Sequence, residues 1–212
     1  MNTEYCFYYF TGALSSKFCD EVIKYASQKQ ELPAVTGAFG RKRDVKANPL
    51  TKDEEKKLHK KRMSDVVWLD ERWIYREIQP YINRANSSAG WNFEWDWSEQ
   101  IQFTKYKVNG YYDWHCDSFF KPHSDKKDPN FFGKIRKLSV TCQLTDGADY
   151  EGGELEFQPR TKEDPNLIVP CKEILPKGSI IVFPSHVWHR VTPLTKGIRH
   201  SLVVWNLGQP FK

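Results

Sequence analysis

From Asn92 onward the chain is a succession of short segments rich in β-branched and aromatic residues, and this texture excludes most architectures. The segments are Phe93 to Trp97, Gln100 to Val108, Tyr111 to Asp117, Ile135 to Leu144, Gly153 to Gln158, Ser179 to Phe183, Val187 to Val191 and Ile198 to Leu207. Turn residues separate them. Asn109-Gly110 is a strong hairpin signal, and Pro176-Lys177-Gly178 marks another turn. About eight such strands in sequence predict a jelly-roll barrel.

The N-terminal third has a different period. Glu4 to Thr11 predicts a short strand. Ser15 to Gln28 predicts a helix, with Ser15 as its cap and Phe18, Val22, Ile23 and Ala26 on one face. Asp70 to Ala85 predicts a second helix through Ile74, Ile78, Tyr81, Ile82 and Ala85, with Pro80 as a possible kink. Ala34 to Leu50 carries Gly37, Gly40 and Pro49 and predicts irregular chain. The expected fold class is therefore mainly β with flanking helices (α+β): a double-layered jelly-roll core buttressed by N-terminal helices. A chain of 212 residues suffices for one well-buried domain. The expected division is 1–90 for the supporting strand and helices, with a basic loop at 41–62, and 91–212 for the core.

Composition narrows the function classes. No stretch approaches the roughly 20 apolar residues of a membrane span. Met1 to Tyr9 has neither a basic region nor a cleavage site. The five cysteines, Cys6, Cys19, Cys116, Cys142 and Cys171, lack paired CxxC spacing. Reduced thiols and a cytoplasmic location are expected. The net charge of +5 is concentrated in Arg41 to Arg62, where ten Lys/Arg face four Asp/Glu. Such a block is most often a solvated helix or loop, and otherwise a contact surface for an acidic peptide or a nucleic-acid backbone.

The chemistry lies in His115-Cys116-Asp117 and the distant His189. Residues i and i+2 of a strand share a face, so His115 and Asp117 can reach one metal while Cys116 points away. Two imidazoles with one carboxylate form the donor set that suits non-haem Fe(II) and leaves positions open. His186 is the rival for the third ligand. Arg199 and Ser201 share a face of the last strand. A guanidinium fork beside a hydroxyl can clamp a carboxylate.

Taken in order, these residues resemble a family. Tyr106, His115-x-Asp117, Tyr150-Glu151-Gly152-Gly153-Glu154-Leu155 and His189-Arg190-Val191 followed by Pro193, Gly197, Arg199, Ser201 and Leu202 are similar to the 2-oxoglutarate/Fe(II) dioxygenases of the prolyl 4-hydroxylase type. The resemblance covers roughly residues 98 to 207. It implies a double-stranded β-helix fold. It implies iron on His115, Asp117 and His189, and the far carboxylate of 2-oxoglutarate on Arg199 with Ser201 beside it. Tyr106, or Tyr112 in its place, would hydrogen-bond the co-substrate. Trp205 matches an aromatic position near the iron. The cofactors implied are Fe(II), 2-oxoglutarate and O2. The implied reaction is hydroxylation of a peptidyl side chain, proline first, with release of succinate and CO2. Asp117 favours hydroxylation, since related halogenases lack that carboxylate. Many prolyl 4-hydroxylases carry Lys where this chain has Arg199, which loosens the link to any one substrate.

Two other readings fit the same residues. One is a non-catalytic jelly-roll binding module. The other is a nucleic-acid-directed oxidative demethylase using the 41–62 segment, against which stands the lack of a second Arg in the expected pattern after Arg199. A peptide or protein partner is expected ahead of nucleic acid, and no membrane. His59, His123 and His200 are expected to be solvated. Trp91, Trp95 and Trp97 are expected in the core, and Gly152-Gly153 in a turn leading into a strand. Substrate recognition falls to the loops Ala34 to Arg62 and Phe119 to Lys134, the latter a mobile lid or rim over the metal.

Overall fold

The computed structural model describes residues 5–35, 51–118 and 121–211. Three α-helices are found among them: α1 Ser16–Ser27, α2 Lys52–His59 and α3 Arg72–Ser88. The strands are β1 Tyr8–Phe10, β2 Leu32–Pro33, β3 Arg62–Met63, β4 Asp65–Leu69, β5 Trp97–Ser98, β6 Ile101–Tyr106, β7 Tyr111–His115, β8 Ile135–Gln143, β9 Tyr150–Gly152, β10 Leu155–Gln158, β11 Val169–Pro170, β12 Ile180–Pro184, β13 Trp188–Val191, β14 Leu194–Gly197 and β15 Arg199–Gly208. They form an eight-stranded sheet in the order β1-β12-β8-β15-β6-β4-β2, with β5 also on β15. A five-stranded sheet runs β11-β10-β13-β7-β3, and β14 pairs with β9. All pairings are antiparallel. This is the jelly-roll core with N-terminal helices that the strand pattern predicts.

The large sheet has two unlike faces, and the alternation of its sequence creates them. Ile101 and Phe103 of β6, Leu138, Val140 and Cys142 of β8, Ile180 and Val182 of β12, and Leu202 and Val204 of β15 all join one apolar core. The helices close that core with Phe18, Cys19, Val22 and Ala26 of α1 and Ile74, Ile78, Ile82 and Ala85 of α3. The residues of opposite parity face the other way. Gln102, Thr104, Ser139, Thr141, Gln143, Arg199 and Ser201 are all buried as well. A buried face this polar must spend its donors and acceptors on something.

Local chemistry explains the helix ends. Ser15 caps α1 by accepting the Phe18 N–H. Glu71 precedes α3 but gives it no side-chain cap, because its carboxylate accepts from Tyr25 and Lys29 instead. The helix thus begins two residues later than Asp70. It continues through Pro80 to Ser88. Pro80 and Arg76, four residues earlier, are both exposed, so the carbonyl that Pro80 leaves without a donor can be hydrated.

Several expectations on the strands and loops need correction. Phe93 to Trp97 is not a strand, and only Trp97–Ser98 pairs. Asn92 takes a left-handed φ of 51°, and Asn86 satisfies both the N–H and the carbonyl of Phe93, replacing a strand partner. Trp91 is buried, whereas Trp97 is 39% exposed and outside the core. Between β13 and β15, the stretch Thr192 to Gly197 contains the further strand β14. His200 is not solvated: it stacks on Phe103 at 5.4 Å and its Nδ1 lies 3.2 Å from the Thr145 hydroxyl. Gly152 and Gly153 do turn, at φ 74° and 67°.

Of the basic segment, 41–50 lies outside the described residues. The rest forms α2, whose Thr51 and Glu54 make a reciprocal capping box, followed by β3 at the edge of the smaller sheet. Phe119 and Phe120 of the expected lid also lie outside the described residues. The remainder folds on itself through His123 with Gly133 and Lys134, and Lys134 pairs with Asp96 at 2.6 Å.

Candidate metal centre

His115 ends β7 and His189 lies in β13, and the two are direct partners in the ladder of the smaller sheet. Their rings stand 4.2 Å apart, centroid to centroid. Asp117 lies just past the end of β7, so the strand argument that placed it on the His115 face holds only for His115. A turn does the rest. The N–H groups of Asp117 and Ser118 both donate to the Ser185 carbonyl, at 2.9 and 2.8 Å. This pins the end of β7 to the turn between β12 and β13 and swings the carboxylate back toward both imidazoles. Asp117 Oδ1 lies 3.9 Å from His115 Nε2, and Oδ2 lies 3.6 Å from His189 Nε2. One donor atom from each of the three residues falls within 4.8 Å of the others.

The donor atoms are in the state a metal needs. His115 Nδ1 is 2.8 Å from the Asp113 carbonyl and His189 Nδ1 is 3.0 Å from the Val187 carbonyl. A carbonyl only accepts, so each Nδ1 carries the hydrogen and each Nε2 presents its lone pair. Burial and the neighbouring His189 hold the His115 pKa well down, so the ring is neutral. Burial pushes Asp117 up, but His189, His115, Arg136 and the Ser139 hydroxyl outweigh it and hold the carboxyl below its usual range. Ser139 donates to Asp117 Oδ2 at 2.7 Å and meets the Ser185 hydroxyl at 2.8 Å. The residues present therefore fit a divalent cation with two nitrogen donors and one carboxylate. His186 is not among them; it packs near Phe93 and Phe211.

A second cluster lies at the start of β15, on its inward face. Arg199 is 1% exposed, and its Nε is buried with no partner. Among the described residues no carboxylate pairs with it. A buried guanidinium without an anion is strongly unfavourable, so this position suits a bound carboxylate. Tyr106 is its register partner on β6, with the guanidinium 5.6 Å from the ring centroid. Ser201 is buried between Thr104 and Gln143. Tyr112 stacks on His115 at 3.5 Å, and burial pushes its hydroxyl up to about 12, so it stays protonated. Trp205 is the register partner of Ser139 and has a buried Nε1 without a partner. Tyr106, Arg199, Ser201 and Trp205 thus belong to the large sheet, and Tyr112 and the two histidines to the smaller sheet packed against it.

Sequence reasoning missed Ser139, Ser185 and Arg62. Ser139 stands at an inward position of β8 together with Thr141 and Gln143, and that parity was the signal available. Arg62 is buried 4.5 Å from the Tyr112 ring, at the end of a run that reads as solvated.

Residues 101–206 match the family described as the 2OG-Fe(II) oxygenase superfamily. A PKHD-type hydroxylase of Synechococcus sp. strain CC9902 is 39% identical over 106 residues, which is 50% of this chain and 40% of that protein. The PKHD-type hydroxylase YbiX of Escherichia coli O157:H7 is 32% identical over 109 residues, 49% of this chain and 40% of that protein. The matched part of this chain thus spans about two fifths of these relatives' length. Among solved structures, a prolyl hydroxylase of Trichoplax adhaerens, in complex with a hypoxia inducible factor oxygen degradation domain peptide fragment, superposes with a TM-score of 0.66 at 18% identity, over 95% of this chain and 83% of that one. A viral collagen prolyl hydroxylase from Paramecium Bursaria Chlorella virus-1 gives 0.63 at 18% identity, over 98% and 99%. At such identity these two speak to the fold. With the family match spanning half of its residues, the chain belongs to the 2OG-Fe(II) oxygenase superfamily.

Proposed function

We propose that this protein is an Fe(II)- and 2-oxoglutarate-dependent dioxygenase that hydroxylates a peptidyl side chain, with proline as the first candidate. The observation that carries this reading is Arg199, a buried cation with an orphaned Nε on the inward face of the large sheet, which packs against the sheet that holds His115 and His189. Its relatives are named hydroxylases. The peptide in the Trichoplax neighbour supports a peptide or protein substrate here.

His115 and His189, through Nε2, and Asp117, through its carboxylate, would hold the metal. When bound there with 2-oxoglutarate, Fe(II) supplies the O2-dependent oxidising chemistry that couples hydroxylation to release of succinate and CO2. The rest is done by the chain. Arg199 takes the far carboxylate of the co-substrate, with Ser201 beside it, and fixes how deeply it enters. Tyr106 donates its phenol hydrogen to the same ligand. Ser139 fixes which Asp117 oxygen turns to the metal. Phe183, at 4.7 Å from His189, and Phe157, at 6.1 Å, back the imidazole and keep water from that side. Trp205, the register partner of Ser139, would add an aromatic ring to the wall of the large sheet near the metal. The division 1–90 and 91–212 remains our view of the domain, although β1, β2 and β4 are built into the large sheet. Among the described residues no helix is long and apolar enough to cross a membrane. All five cysteines are free, which suits a reducing, cytoplasmic setting.

The test is a panel of proline-containing peptides incubated with Fe(II), 2-oxoglutarate and O2. Succinate formed together with a peptide product heavier by about 16 Da supports the reading. Absence of succinate with every peptide favours a non-catalytic binding module.

A further inference from the structure

Tyr150 takes no part in the site described so far, yet its hydroxyl hydrogen is unspent. Gln143 Nε2 donates to the Thr145 carbonyl at 2.8 Å and to the Tyr150 hydroxyl oxygen at 2.7 Å. An amide nitrogen has two hydrogens, and both are used. The Thr145 carbonyl can only accept, so the amide cannot be turned over without setting two acceptors against each other. Gln143 Oε1 is left buried without a partner, and this does not reverse the orientation. Tyr150 Oη is therefore an acceptor toward Gln143, and its own O–H has no acceptor among the described residues. Tyr150 is only 7% exposed.

The fold brings the Tyr150 ring close to the Arg199 side chain. Tyr150 pairs with Gly197 where β9 meets β14, two residues before Arg199 begins the run along β15. Gly153 then lets the two side chains converge. A Cβ there would lie 3.4 Å from Arg199 Cδ and 3.8 Å from Tyr150 Cε2, with Leu194 Cδ1 at 2.8 Å. Arg199 Nε is buried without a partner, the Tyr150 hydroxyl hydrogen has no acceptor among the described residues, and the two side chains meet beside Gly153. One carboxylate has lone pairs for both.

We infer that Tyr150 is a second binding residue for the far carboxylate of the co-substrate, and that Gln143 is the positioning residue that turns the Tyr150 hydrogen toward it. This rests on the 2-oxoglutarate reading of the Arg199 cluster. It gives a reason for a buried Gln on the inward face of β8.

The test is anaerobic calorimetry on the Fe(II)-loaded protein with two ligands. 2-Oxoglutarate has the far carboxylate; oxalate chelates a metal and lacks it. Tyr150→Phe should weaken 2-oxoglutarate about ten-fold, the loss expected for one hydrogen bond to a charged group, and leave oxalate unchanged. Gln143→Leu should weaken 2-oxoglutarate as well, and combining it with Tyr150→Phe should add little. Equal 2-oxoglutarate affinity in Tyr150→Phe and wild type overturns the assignment and spares the broader reading. An equal loss for both ligands also overturns it. A wild-type protein that binds oxalate and not 2-oxoglutarate removes the broader reading and this one together.

Discussion

Ser139 and Asp117 join the two halves of the site: the hydroxyl on β8 of the large sheet donates at 2.7 Å to the carboxylate that follows β7 of the smaller sheet. The bond leaves one Asp117 oxygen freer than the other and holds the carboxylate between the two imidazoles.

Ser139→Ala should therefore lower metal affinity by about 10- to 100-fold, the usual cost of losing an outer hydrogen bond to a metal ligand. The fold should survive, because Ser185 still anchors the Asp117 N–H. Titration with Fe(II) or Mn(II), followed calorimetrically, checks this. Unchanged affinity would mean that the turn alone orients the carboxylate.

Arg199→Met separates function from stability. The guanidinium is buried and has no anionic partner among the described residues, so replacing it with an apolar side chain of similar length should leave the ligand-free protein equally stable or more stable. Binding of 2-oxoglutarate should fall by at least about 100-fold. Urea unfolding of the ligand-free protein and ligand titration together read out both halves. A large loss of stability would identify Arg199 as a structural residue.

The helix-facing side of the large sheet should behave as ordinary core. Ile78 of α3 is 1% exposed within that cluster. Ile78→Ala should destabilise by about 2–5 kcal/mol, measured by urea unfolding, without altering the metal affinity of the folded fraction.

Burial pulls the His200 pKa down to about 4, with Lys105 adding to the effect and Glu31 opposing it. The unfolded imidazole titrates near about 6.5. Between these values the unfolded chain binds a proton that the folded chain does not, so stability falls as pH drops from about 6.5 toward 4. At pH above the unfolded value this contribution is fully present. Comparison of wild type with His200→Asn should show a wild-type loss larger by about 1–2 kcal/mol across that window, allowing for partial exposure. Parallel pH profiles would show that His200 does not carry the effect.

Much of this was legible in the sequence because alternation in a sheet is a local property. The positions of β8, β12 and β15 follow from it, and so do the inward faces of Arg199, Ser201 and Trp205. The candidate ligands His115, Asp117 and His189 were legible through spacing and order. What escaped is set by long-range hydrogen bonds. Asp117 reaches the metal position through a turn tied to Ser185, 68 residues away in sequence, and no local period encodes that. Phe93 to Trp97 alternates like a strand, yet Asn86 satisfies its backbone from a helix. His200 was expected in solvent because no residue stands at a partner spacing to it, whereas its parity on β15 carries it onto Phe103.

The central claim is that His115, Asp117 and His189 hold Fe(II) next to a 2-oxoglutarate pocket. Its most direct test is an anaerobic titration of the Fe(II)-loaded protein with 2-oxoglutarate, followed by visible absorption. The wild type should develop a saturable charge-transfer band, and His189→Ala should develop none. A folded wild-type protein that shows no band at saturating metal and 2-oxoglutarate would contradict the account.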